Sequence, residues 1–163
     1  MTCKNHTWVL AIVFVLLNSC KPAALDEVIL IPNNYEGDLI LILNQPNGQT
    51  ETIKDNKLIT RFSENGIIQA KYNTPEDWHQ VNYYYYNKLG DTTKLEELGD
   101  QDSIDSSKIY VLDVFTRATL DKQNPFEAII YIVGRLSHES KLKEAASERY
   151  EELRKSKTLS NRK

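Results

Sequence analysis

Short β-prone runs separated by turn residues dominate the chain from residue 27 to 134. Residues 27–31 read Glu-Val-Ile-Leu-Ile and stop at Pro32, and residues 38–43 are apolar on both faces, as in a strand covered on each side. Further strands are predicted over 57–62, 67–72, 81–86 and 109–116, with a short edge strand over 94–98. Asn65-Gly66 lies between two of these runs and predicts a hairpin joining 57–62 to 67–72. Residues 125–134 read two ways. Asn124, Pro125 and Glu127 resemble a helix start, whereas the β-branched and aromatic run 129–133, closed by Gly134, favours a strand, and strand is the reading adopted. A helix is predicted over 137–156, capped by Ser137, with Leu142, Ala146, Tyr150 and Leu153 on one stripe and a basic tail at 157–163. The sum is a mainly β domain at 27–134. The expected architecture is an antiparallel β-sandwich, immunoglobulin-like or transthyretin-like, with one C-terminal α-helix.

The first nineteen residues follow another rule. Only Lys4 is charged, and an apolar run from Trp8 to Leu17 follows it. Ten helical residues at ~1.5 Å each span half of a ~30 Å bilayer core, so the segment reads as a secretory signal at 1–19. Leu17-Asn18-Ser19-Cys20 resembles the bacterial lipobox, in which small residues separate an apolar residue from an obligatory cysteine. The resemblance implies lipidation of Cys20 (diacylglyceryl, then a further acyl chain such as palmitate), a membrane anchor, and a tether at 20–26. Lys21 stands where an inner-membrane retention aspartate would be, which implies an outer-membrane address in a two-membrane bacterium.

Cleavage there removes Cys3, and lipidation blocks Cys20, so no disulfide and no cysteine-based zinc site can form. A net charge of −3 becomes −4 when Lys4 leaves, which gives no footprint for nucleic acid.

Three stretches resemble an uncharacterised family of small bacterial lipoprotein domains: Ile31-Pro32 through Tyr35 to Gly37, the strand into Gln45-Pro46-Asn47-Gly48, and Glu64-Asn65-Gly66-Ile67. The resemblance covers roughly 27–90. It implies a shared β-rich domain and brings no activity with it.

Recognisable catalytic chemistry is absent: there is no Gly-x-Ser-x-Gly elbow, phosphate loop, dinucleotide fingerprint or His-Glu-x-x-His. Asp100-Gln-Asp102-Ser-Ile-Asp105 departs from a calcium loop, having Asp105 and Val111 where Gly and Glu are needed. No metal or other cofactor is expected. Trp78 and His79, beside Glu76 and Asp77, form the one compact acid, aromatic and imidazole group, which could serve a small periplasmic hydrolase or bind a sugar. Tyr83 to Tyr86 run without interruption. Alternation from Val81 sends Tyr83 and Tyr85 inward, and Tyr84 and Tyr86 outward as an aromatic surface for a glycan or protein partner. The function this favours is a non-catalytic, membrane-anchored envelope protein that binds or assembles, with the hydrolase and a glycan-binding module as alternatives.

Overall fold

The computed structural model describes residues 25–73, 80–100, 104–119 and 125–160. Among these residues, nine strands form two sheets. The first has the order β3(Ile53–Lys54), β4(Lys57–Arg61), β1(Asp26–Pro32), β6(Val81–Tyr86), β7(Thr92–Leu95). The second has the order β5(Ile67–Gln69), β2(Gly37–Ile42), β9(Glu127–Gly134), β8(Tyr110–Ala118). A 3-10 turn at Leu136–His138 leads into one long helix, α1(Glu139–Ser160).

Strand periodicity decides the layering. On β1, Ile29 and Ile31 are buried and meet Tyr83 of β6, Leu39 and Leu41 of β2, and Tyr131 of β9 between the sheets. Phe62 and Tyr83 both meet Tyr131 in T-shaped contacts, with ring centroids at 5.8 and 6.2 Å. The alternate residues of β2 and β9, among them Ile40, Ile130 and Ile132, face the other way onto Ala146 and Tyr150 of α1. Both faces of the second sheet are therefore buried, which explains the unbroken apolar runs of β2 and β9. The layers are sheet, sheet and helix, a sandwich-like arrangement of the mainly β class the sequence indicates.

The pairing departs from a purely antiparallel sandwich of the immunoglobulin or transthyretin kind. β1 is parallel to β4 on one side and to β6 on the other, and β5 is parallel to β2. The cause is the connection pattern. After β1 the chain crosses to the second sheet as β2, returns as β3 and β4, crosses again as β5, and returns as β6. The first return enters as β3 and reverses at the hairpin into β4, while the second enters directly as β6, so β1, β4 and β6 run alike.

Asn65-Gly66 accordingly makes no hairpin. The Ser63–Gly66 turn closes with Gly66 N–H donating to Ser63 O at 2.9 Å, and Asn65 Oδ1 accepts from Ile67 N–H at 3.0 Å. The outgoing strand then joins the other sheet. The tight hairpin lies instead between β3 and β4, where Asp55 and Asn56 both take positive φ, 50° and 58°. Paired left-handed residues give the turn the twist that two antiparallel strands need.

Residues 125–134 contain β9, as the β-branched run indicated. The helix differs at both ends from the predicted 137–156. Ser137 lies inside the 3-10 turn, which has no side-chain cap, and α1 begins at Glu139. It continues to Ser160, into the stretch read as a tail, because Lys157 Nζ donates to Pro125 O at 3.2 Å and sits over the Phe126 ring. The expected stripe is real: Ala146 and Tyr150 are buried, with Leu142 and Leu153 packed beside them.

Candidate functional site

The outer face of the first sheet carries no packing element among the described residues. Alternation places Val28 and Leu30 of β1, Ile59 and Arg61 of β4, and Tyr84 and Tyr86 of β6 on this face. Val28, Leu30, Ile59 and Tyr84 are half-buried, forming a flush apolar strip rather than a protruding one. Lysines frame it: Lys57 on β4 is opposite Lys54 on β3, and Lys94 on β7 is opposite Tyr84.

At the C-terminal ends of the three parallel strands the face deepens into a groove of about 690 Å³. Pro32, Arg61 and Tyr86 are the final residues of β1, β4 and β6, and Asn33, Glu64 and Lys88 come from the loops that follow. Tyr86 lies across the end of β1, its hydroxyl donating to Phe62 O at 2.7 Å. The Arg61 guanidinium lies over that ring, 4.1 Å from its centroid. Stacking occupies the flat face of the guanidinium and leaves its in-plane N–H fork for an acceptor. Arg61 and Lys88 have no carboxylate partner among the described residues. Three half-buried cations on or near the helix are consumed, Arg135 by Glu36, Lys143 by Asp113 and Glu139, and Arg149 by Asp38.

Beside the groove the turn motifs converge. The Tyr35 hydroxyl donates to Asp38 O at 2.7 Å, and its ring covers Gly37. Gly66, at φ +68°, fits against the same hydroxyl, and a Cβ there would stand 2.5 Å from it. Tyr85 donates to Tyr35 O at 2.9 Å. Burial, and then the Glu36 charge, push its hydroxyl up to about 12. Glu36 also holds Arg135 at 2.8 Å and has His138 Nδ1 at 3.7 Å, so the exposed His138 belongs to a surface ion cluster.

Of the residues singled out in the sequence, Tyr84 and Tyr86 lie on the open face, and Tyr83 and Tyr85 point into the sandwich. Tyr86 is not a free stacking platform, since Arg61 covers it. Cys20, Trp78 and His79 lie outside the described residues. Arg61, Asn33 and Lys88 were not singled out, because their convergence depends on β1, β4 and β6 being parallel neighbours. Among the described residues no three His, Cys, Asp or Glu side chains converge as a metal site, and no helix is long and apolar enough to cross a membrane.

Residues 23–123 match the model of a family described as a family of unknown function, DUF6843. The chain belongs to this family. The match spans the sheet residues that build the open face and the groove, from β1 through β7, and it ends before β9 and α1. No curated protein matches the chain. Among solved structures it is similar to a crystal structure of a candidate lipoprotein from Bacillus anthracis, at 27% identity, over 70% of this chain and 73% of that one, with a TM-score of 0.48.

Proposed function

We propose that this DUF6843 protein is a lipid-anchored cell-envelope module that binds rather than catalyses, working through the outer face of its five-stranded sheet. The observation that carries this reading is the uneven cover of the sheets. Three of the four sheet faces are packed into cores, and the fourth carries an apolar strip, Tyr84 and a cation-lined groove with nothing over it among the described residues. A flat polar-and-aromatic surface of this kind suits a glycan or a protein partner.

The anchor is supported by the apolar run ending in Leu17-Asn18-Ser19-Cys20. Five residues lie between Cys20 and Asp26, where β1 begins, so the tether spans at most ~20 Å. In a two-membrane bacterium, Lys21 supports an outer-membrane address. Fatty-acid labelling tests the anchor: label enters the wild type and is lost in Cys20→Ala. Equal labelling of the two, or none in either, refutes it. Retention on immobilised envelope polysaccharide, weakened by Tyr84→Ala, tests the face.

A further inference from the structure

We propose that the groove binds the acidic groups of a polysaccharide, with the Arg61 fork as the principal contact and Lys88 as the second. The proposal rests on the reading of this face as a binding surface and names the chemistry it takes.

Four observations converge on it. The protein is acidic overall, at −3, yet the outer face and groove carry Lys54, Lys57, Arg61, Lys88 and Lys94, with Asp26, Glu64, Asp91 and Glu96 around them. None of these five exposed cations has a carboxylate partner among the described residues, whereas the half-buried Lys143, Arg149 and Arg154 of α1 hold carboxylates at 2.6–2.9 Å. Arg61 is already oriented, because Tyr86 supports it from below and is itself fixed by its bond to Phe62 O. An arginine held this way loses little freedom on meeting a carboxylate or phosphate, and it can meet either through two parallel bonds. Beside it, the Asn33 amide and the Glu64 carboxylate supply the donor and acceptor that sugar hydroxyls need.

The shape favours a polymer over a lipid surface. The anionic group would be recessed in a groove of about 690 Å³, and Val28, Leu30, Ile59 and Tyr84 on the face are flush, Leu89 in the turn after Lys88 being the exposed apolar side chain beside the groove. The groove also lies at the Pro32 end of β1, ~20 Å along the strand from Asp26, where the tether enters. From the groove, the strip of Leu30, Val28 and Tyr84, bordered by Lys94, continues the surface along the sheet, giving successive sugar units somewhere to lie.

The test uses the full-length protein in neutral detergent micelles, so that it does not depend on the state of Cys20. Polygalacturonate supplies carboxylates, a phosphomannan supplies phosphates, and dextran is the neutral control. Binding of one or both acidic polymers, falling as salt rises, with little binding of dextran, is the expected result, and the preferred polymer identifies the anion. Arg61→Gln should weaken it by roughly tenfold or more, the effect of one charged hydrogen-bonded contact. Tyr86→Leu should weaken it less, by releasing the guanidinium, and Lys141→Gln on the exposed helix surface should leave it unchanged. Arg61 is exposed, so an unaltered melting curve for Arg61→Gln separates lost binding from lost folding. Binding of dextran as strong as that of the acidic polymers, and sensitive to Tyr84→Ala, would keep the face as a glycan site and overturn the acidic specificity. Indifference to Arg61→Gln would overturn the groove assignment. Arg61-dependent association only with micelles containing phosphatidylglycerol would overturn the polysaccharide in favour of a membrane.

Discussion

Arg149 in α1 holds Asp38 at the start of β2, with Nη1 2.9 Å from Oδ2, although 111 residues separate them. The same guanidinium donates to Asn65 O in the turn between β4 and β5. One side chain thus ties the helix to the second sheet and to the arch that leads into it. Asp38 is largely buried, so removing Arg149 leaves a carboxylate without its counter-charge.

Arg149→Ala should therefore lower stability by about 2 kcal/mol, read from the urea midpoint. Arg154, paired with Glu151 on the solvent side of the same helix, supplies the comparison. Arg154→Ala should barely move the midpoint, since exposed pairs along a helix contribute little.

Gly66 and Gly90 both have positive φ, +68° and +92°, but their surroundings differ. A Cβ on Gly66 would meet the Tyr35 hydroxyl at 2.5 Å and Asp38 O at 2.8 Å, while one on Gly90 would have nothing within 4 Å. Gly90→Ala should cost ~1 kcal/mol from backbone strain alone. Gly66→Ala should cost at least twice as much, because the turn must open as well. Equal thermal midpoints for the two variants would contradict this packing.

In the tyrosine run, Tyr83 is 5% exposed and meets Tyr131 in a T-shaped contact. Tyr83→Ala should cost ~3–4 kcal/mol, as expected for emptying an aromatic core site. Tyr84, on the open face, should cost well under half of that when changed to alanine. Tyr85 should fall between them, since it packs against the core while its hydroxyl bonds Tyr35 O. Urea titrations of the three variants give the order directly.

Alkaline pH should unfold the protein through its buried phenols. Burial raises the hydroxyls of Tyr85, to about 12, and of Tyr131. The unfolded chain, with phenols near their ordinary value of ~10, loses its protons first, so stability falls as pH rises from there towards 12. Below pH ~9 these groups contribute no pH dependence. Tyr85→Phe should shallow the alkaline limb of a plot of urea midpoint against pH.

Strand positions were legible because runs such as 38–43 and 81–86 carry their own period and composition. Strand partners were less legible. Ser63–Gly66 has the chemistry of a tight turn, but local chemistry does not determine which sheet the outgoing strand joins. That is decided by Ile68, which is buried between the sheets beside β2. Tyr84 and Tyr86 could be placed by alternation alone. The groove could not, since Arg61, Asn33 and Lys88 meet only once three separate strands lie parallel. The Arg149 clasp was equally out of reach, because a charged residue on a helix surface gives no sign of a partner more than a hundred positions away.

The parallel neighbours of β1 also set an order of assembly. Asp26 pairs with Lys57 and Glu27 with Val81, so each partner lies at least thirty positions farther along the chain. Both pairings require a large loop to close before any contact rewards it, which slows folding relative to a domain built from hairpins. β1, the first of the described strands in chain order, is thus completed on both edges only after β6 has arrived. A chain ending before Val81 would keep one side of an apolar central strand open as a template for another molecule, even with β2 and β4 in place.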